Sequence, residues 1–354
     1  MDPAARLSAG AARLRASIAE AAGPGGLAAV AQGIAALAGE AIDDAADVAA
    51  ITSTISALND EVTGAVVHAV AAEMAVDLSR ACWLVFGSQA RGEQTIATDQ
   101  DNGLVFAPEG DADADRQRPD WMRFGQRVNE ALAECGYPLC DGRVMAGQPL
   151  CCLTAAEWCR RFEHWMSHGS GNDLLAVRIY FDLRALSGNT ALARPIVDLL
   201  ASPAAAVPRF VKQMADVVLC NHVPLNWWGA VVAPRDQGRP TFDLKMSGTA
   251  LFVDAARLWS LAHGIGATGT SQRLTEASRA MRVPASELAQ WLQGFHTLQG
   301  LRLQLQRHRP ADEAPARRCL VPWDALDEGQ RRALKQSLRA ARWIQRRIEL
   351  DYRR

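Results

Sequence analysis

Phe86-Gly87-Ser88-Gln89-Ala90-Arg91-Gly92-Glu93-Gln94-Thr95-Ile96-Ala97-Thr98-Asp99-Gln100-Asp101 follows directly on the apolar run Cys82-Trp83-Leu84-Val85, and this junction decides how the rest of the chain is read. A short apolar run that ends at Gly-Ser predicts a buried strand entering a turn. Glycine lets backbone approach a ligand closely. The Ser88 hydroxyl, next to free N–H groups at the start of a helical turn, adds donors suited to phosphate oxygens. Arg91 can contribute a charged fork.

A second apolar run, Leu104-Val105-Phe106, follows Asp99-Gln100-Asp101-Asn102-Gly103. If this is a strand, Asp99 and Asp101 share one face, because strand side chains alternate with period two. Two carboxylates side by side repel unless a divalent cation lies between them. Hard oxygen donors suit Mg2+ or Mn2+, with substrate phosphates completing the shell. A Gly-Ser turn or an Asp-x-Asp pair alone is commonplace; their joint order, strand, turn, arginine, acid pair, strand, is specific.

That motif, Gly87-Ser88-x-x-Arg91-x-Glu93-Gln94-x-x-x-x-Asp99-Gln100-Asp101-Asn102, resembles nucleotidyltransferases of the DNA polymerase β superfamily. The branch is the one related to the PII-protein uridylyltransferase, whose DUF294-type catalytic domain and C-terminal helical domain are usually associated with CBS or cyclic-nucleotide-binding modules. Gly136-Tyr137-Pro138-Leu139-Cys140, Val144-Met145-Ala146, Phe181-Asp182-Leu183-Arg184, Asp243-Leu244-Lys245-x-x-Gly248 and Thr270-x-x-Arg273-Leu274 resemble the same branch in the same order. The resemblance covers roughly residues 70 to 350. No CBS or cyclic-nucleotide module fits the first seventy residues.

The resemblance implies an α+β fold: a polymerase-β-like domain with a small mixed sheet and helices, flanked by N-terminal helices and a C-terminal all-α domain. The corresponding segments are 1–70, 71–200 and 201–354. It also implies transfer of a nucleoside monophosphate from a nucleoside triphosphate, UTP by kinship, to a hydroxyl on a PII-like or other protein or on a small hydroxylated molecule. Gly87, Ser88 and Arg91 would then hold phosphates, and Asp99 and Asp101 would hold Mg2+ or Mn2+. A non-transferring nucleotide-binding module that docks a partner is the alternative.

This superfamily usually needs a third acid. In Val177-Arg178-Ile179-Tyr180-Phe181-Asp182-Leu183-Arg184 the apolar residues alternate with polar ones, which predicts a strand with Asp182 on the polar face. Asp182 is the expected third catalytic and metal-binding carboxylate; an Asp182–Arg184 interaction or a cap fits equally well. Asp141 in Cys140-Asp141-Gly142 comes next, or is a turn residue. Lys245 is one of only three lysines, between Asp243 and Gly248. By resemblance its loop faces the catalytic cleft, with Lys245 on the triphosphate and Asp243 orienting it or touching the base; an Asp243–Lys245 pair that fixes the loop is the other reading.

Composition sets the outer limits. The chain has 354 residues, 49% of them hydrophobic and 22% charged, with a formal net charge of -1, so it can bury a large core and exerts no general pull on nucleic acid. Abundant alanine and only 6% aromatic residues predict much helix. The eight cysteines include no C-x-x-C pair and read as reduced thiols. With no leader-like N-terminus and no apolar run expected to cross a bilayer, cytoplasm is the default and no membrane partner is expected. A second copy of the chain remains an available partner.

Residues 4 to 80 read as helices broken at Gly23-Pro24-Gly25-Gly26 and near Asn59-Asp60, a structural cap without chemistry. Toward the C-terminus, Phe295, Leu298, Leu301, Leu305, Leu334, Leu338, Ile344 and Ile348 form core-facing helical stripes.

Overall fold

The computed structural model describes residues 2–21, 23–110, 114–171, 173–174, 178–202, 207–310 and 313–352. Val177 of the expected strand lies outside them. The chain divides into two units, Met1–His164 with Ile179–Leu199, and Trp165–Arg178 with Leu200–Arg354.

The first unit opens with three helices, α1 (Pro3–Glu20), α2 (Gly23–Asp43) and α3 (Val48–Glu73). The break expected near Asn59-Asp60 is absent; the chain turns instead at Asp44–Asp47, where Ala45 takes φ 53° and the Asp47 carboxylate accepts from the Ala50 N–H at 2.9 Å. Asn59 and Asp60 stay helical because their side chains find partners in the sheet region, so they do not compete for their own backbone. By length and composition α2 reaches what a membrane span requires, contrary to the sequence expectation. In the fold its Leu27, Val30, Ile34, Leu37, Ala38 and Ala41 are buried, and it packs on α1 and α3.

Strand β1 (Ala81–Phe86) is buried along its whole length and leads into a single helical turn, α4 (Gly87–Ala90). Then come β2 (Asn102–Phe106), α5 (Ala114–Glu134), β3 (Cys152–Leu153), α6 (Ala155–His168), β4 (Leu183–Gly188) and α7 (Arg194–Leu200). Among the described residues, four strands make a mixed sheet in the order β3-β2-β1-β4, antiparallel except for β2 and β3. Gly103 pairs with Leu84 and Asn102 with Val85, which sets the end of β2 beside the end of β1.

The expected strand over 177–184 is corrected. Arg178–Phe181 forms a 3-10 turn and β4 starts only at Leu183. Tyr180, Phe181, Asp182 and Leu183 are all buried in succession, so the segment has no exposed polar face of the kind the alternation predicts. Phe181 meets Phe162 edge-on and Tyr180 meets Phe86, so the turn supplies two rings to one aromatic core.

The second unit contains α8 (Pro208–Cys220), strands β5 (Arg235–Asp236) and β6 (Arg239–Asp243), α9 (Ala250–His263), α10 (Thr270–Ala280), α11 (Ala285–Arg307), β7 (Leu320–Pro322) and α12 (Glu328–Tyr352). It is largely helical around α9, whose residues Leu251 to Leu261 are all buried. A helix buried on every side needs its charges neutralised. Asp254 and Arg257 supply that pair, 2.6 Å apart. Of the C-terminal stripe residues all are buried except Leu305, which is only half-buried while Leu303 goes inward.

Candidate functional site

Phe86 ends β1 in the aromatic core, where its ring lies 5.8 Å from that of Trp158 and 5.2 Å from that of Tyr180. With that ring fixed, the backbone must reverse at once. Gly87 does so at φ 56°, a region that L side chains avoid. A Cβ on Gly87 would lie 2.9 Å from Asp101 Oδ2. Glycine is thus required twice, for the turn and for the approach of the carboxylate. Ser88 follows at the start of the turn, half-exposed.

Asp99, Gln100 and Asp101 precede β2 rather than lying within it. The ladder nevertheless reaches Asp101, whose carbonyl accepts from the Phe86 N–H at 2.9 Å. Alternation holds as well: Asp99 and Asp101 are half-exposed while Gln100 is buried. Both carboxylates act on one neighbour, the Cys140 thiol. Burial pushes that thiol up to about 11, and the charges of Asp101 and Asp99 add to the shift. Cys140 is therefore a neutral donor at physiological pH, its Sγ 3.4 Å from Asp101 Oδ1.

What holds the acid pair in place is a buried amide network that sequence reading missed. The Gln100 amide donates to the carbonyls of Asn129 and Tyr137, both at 2.9 Å. The Asn129 amide donates to Gln100 Oε1 and Asn102 Oδ1, again both at 2.9 Å. Asn102 Oδ1 also accepts from the Ala146 N–H, and Asn129 Oδ1 from that of Gly147. The segments around Tyr137 and Val144, noted in the sequence without a role, clasp the acid-bearing stretch. A Cβ on Gly125 would fall 2.6 Å from the Ala146 carbonyl, so α5 and that segment touch backbone to backbone. Asp141 lies in an exposed turn.

The second support comes from α3, read from sequence as free of chemistry. Ser56 Oγ accepts from the Gln94 N–H at 2.9 Å, and Asn59 bonds to the Gln94 side chain. The Gln89 amide donates to Asp60 and Thr63. Arg184, the alternative partner suggested for Asp182, is instead paired with Asp60 at 2.6 Å.

Arg91 and Asp182 meet each other. The Arg91 Nη1 lies 2.5 Å from Asp182 Oδ2 and its Nε 2.9 Å from Glu93 Oε2; Asp182 is fully buried and Arg91 12% exposed. The Asp182 carbonyl also accepts from the Gly87 N–H at 3.1 Å, tying the buried pair to the turn. Among the described residues, no group of three His, Cys, Asp or Glu side chains is arranged to hold a metal ion. Two half-exposed carboxylates still fit a hard divalent cation, which takes its remaining ligands from triphosphate oxygens and water.

Asp243 and Lys245 belong to the second unit. Asp243 Oδ1 accepts from the backbone N–H groups of Lys245 and Met246, both at 2.8 Å, and so fixes the loop through its backbone. Lys245 is exposed at the head of a π-helical turn, Lys245–Thr249, that runs into α9. π-turns are rare and concentrate at functional sites.

Residues 32–172 match the family described as "Putative nucleotidyltransferase DUF294", and residues 208–352 match the "Putative nucleotidyltransferase substrate binding domain". The first match takes in the turn, the acid pair, Cys140 and the amide network; the second takes in Asp243 and Lys245. No curated protein matches the chain.

Proposed function

We propose, for a chain that carries both the nucleotidyltransferase and the substrate-binding domain of the DUF294 family, that it moves a nucleoside monophosphate from a nucleoside triphosphate to a hydroxyl group and releases pyrophosphate. The observation that carries this reading is the approach of the Gly87 turn to Asp101, within 2.9 Å of where a Cβ would stand. A turn that offers N–H donors beside a carboxylate pair is where a polyanion and its counter-cation can be held together.

Ser88 would donate to the β- and γ-phosphate oxygens, Gly87, whose N–H is given to the Asp182 carbonyl, would let them approach the backbone, and Asp99 and Asp101 would hold Mg2+ or Mn2+. Bound there, the cation would lower the pKa of the attacking hydroxyl and neutralise charge on the triphosphate. The protein's own share is positioning, since in-line displacement at phosphorus needs no nucleophilic side chain. Asp182, expected as a third ligand, is assigned instead to orienting Arg91, because its Oδ2 already lies 2.5 Å from that guanidinium. Arg91, engaged by Glu93 as well, would steady the turn that meets the phosphates; with two carboxylates on one guanidinium it brings them no net positive charge. Lys245, exposed and preset by Asp243, is the cationic side chain proposed to act on the triphosphate. Kinship with the PII-protein enzyme supports UTP and a protein acceptor; a small hydroxylated molecule requires the same chemistry.

The test incubates the purified protein and its Asp101→Asn variant with each α-labelled nucleoside triphosphate, magnesium and a cell extract. Label on protein or on a small molecule with the wild type alone is the expected result, and it identifies nucleotide and acceptor class together. Nucleotide binding without label in any fraction would replace transfer by a sensing role.

A further inference from the structure

In the second unit, α11 and α12 meet through small side chains: a Cβ on Gly294 would lie 3.4 Å from that of Ala340. Over this floor a groove of about 560 Å³ opens, rimmed by Gln290, Gln293, Gln336, Arg339 and Trp343. The spacing Gln336, Arg339, Trp343, Arg346, Leu350 keeps one face of α12 toward solvent, and each of these residues is exposed. Trp343 is 57% exposed and Leu350 58%, unusual for side chains of that size on a charged helix. The Arg346 guanidinium lies 5.3 Å from the centre of the Trp343 ring.

A tight turn over 225–231 adds Trp227 and Trp228, 81% and 65% exposed. It is not a loose loop. The Asn226 N–H donates to the Ala230 carbonyl at 2.9 Å, and Asn226 Oδ1 accepts from the Ala230 N–H at 2.7 Å. From α12, Arg342 reaches the carbonyls of Leu225 and Asn226. The Cβ position of Gly229 is 3.8 Å from Arg339 Nη2, which sets the turn beside the α12 face. Three tryptophans are thereby held in solvent by fixed backbone. Among the described residues, neither Arg339 nor Arg346 has a carboxylate within ion-pair distance, although ion pairs are frequent elsewhere on α12.

We propose that this face docks an acidic segment of a partner protein. Carboxylates of the segment would meet Arg339 and Arg346, and its apolar side chains would lie on Trp343 and the Trp227–Trp228 turn. Tryptophan and arginine are the residues that dominate protein interfaces, and preset side chains bind with less loss of conformational freedom. The glutamine amides along the rim both donate and accept, which suits the N–H and C=O groups of a peptide. Arg342 is taken by the Leu225 and Asn226 carbonyls, which leaves Arg339 and Arg346 for a ligand, too few phosphate contacts for nucleic acid, which binds through many. Naming the segment as part of the nucleotidyl acceptor rests on the transferase reading; the docking itself does not.

The test selects a displayed library of random short peptides on the full-length chain, then measures the enriched peptides by fluorescence anisotropy. Enrichment of acidic sequences carrying apolar residues is expected, with affinity that falls as salt rises. Trp343→Ala and the double variant Arg339→Glu/Arg346→Glu should each weaken binding by about tenfold or more, with circular dichroism unchanged. Asp101→Asn, which should lose transfer, should bind these peptides like the wild type, so the two readings fail separately. The proposal is overturned by selection without acidic enrichment, by binding indifferent to the α12 variants, by preference for labelled oligothymidylate, or by self-association that Trp343→Ala abolishes.

Discussion

The Gly87–Asp101 segment and the Asp243–Lys245 loop draw on the same chemical stock: a carboxylate, a cationic side chain and a glycine beside a helical turn. They differ in what stands behind each charged group. Behind Asp99 and Asp101 are the buried Gln100, Asn102 and Asn129, and behind the Gly87 turn are Asp182, Arg91 and the polar side chains of α3. Behind Lys245 there is solvent, and Asp243 spends its acceptor on two backbone N–H groups. The comparison separates a site whose charges are fixed by the fold from a loop whose backbone is fixed and whose charge is free to move. The first should show chemistry and stability effects in different residues; the second should show only small ones.

The largest effect expected is on chemistry in the first segment. Asp101→Asn keeps the shape of the side chain and removes half of the paired negative charge, so nucleotidyl transfer should fall by about three orders of magnitude, roughly 4 kcal/mol of transition-state stabilisation. The thermal midpoint should hardly move, because Asp101 is half-exposed and its carbonyl bond to Phe86 is untouched. Label transfer and a melting curve on the same preparation check both halves. A large loss of stability instead would erase the distinction between acid pair and scaffold.

Next comes the buried ion pair. Removing one member of such a pair strands the other charge and typically costs about 3–5 kcal/mol. For Asp182→Asn the lower end, about 3 kcal/mol, is expected, because Glu93 still faces Arg91 at 2.9 Å. Denaturant titration gives the number. If Asp182 were a metal ligand first, the variant would be near-normal in stability, and its activity would respond steeply to manganese or magnesium concentration.

How much of this was legible in the sequence follows from the same contrast. The strands on either side of the motif, the Gly-Ser turn and the acid pair could be read because each depends on local pattern: apolar runs, a glycine, a period of two. Asp182 could not be placed, because the strand expected for 177–184 and the turn found there share one apolar pattern, and the choice was made by rings far away in sequence, Phe86 and Phe162. Asn59 and Asp60 read as a break for the same reason, their partners being Gln94, Gln89 and Arg184. The amide network around Asn129 gives no sequence signal beyond an asparagine within an amphipathic helix. The α+β class, implied by the family resemblance, was read correctly; the C-terminal domain expected to be all-α is largely helical, its helices legible from periodicity, but it also holds a small sheet of β5, β6 and β7, whose short strands give no such periodic signal.

That silent network supplies a third, smaller expectation. Asn129→Ala removes both donors shared by Gln100 and Asn102, in buried surroundings, and leaves the half-buried Gly147 N–H without its acceptor. A buried polar group left unmet costs about 1–3 kcal/mol, so a loss of about 2 kcal/mol is expected. Activity should fall too, because Gln100 lies between the two acids. Stability lost with full activity would show that the acid pair holds its geometry without the clasp.

The smallest effects belong to the exposed loop, and they decide whether the comparison means anything for function. Asp243→Ala removes a cap from two N–H groups, worth about 1 kcal/mol by analogy with helix caps. Lys245→Ala touches no buried group, so stability should stay within about 0.5 kcal/mol of wild type. If Lys245 reaches the triphosphate, its loss should raise KM for the nucleotide while kcat changes little, the signature of binding equal in ground and transition states. Asp243→Ala should then raise KM as well, because a loosened loop must be ordered again each time nucleotide binds. Should Asp243→Ala alter stability alone and Lys245→Ala alter nothing, the loop is architecture, and every charge that acts on the triphosphate has to come from the first unit.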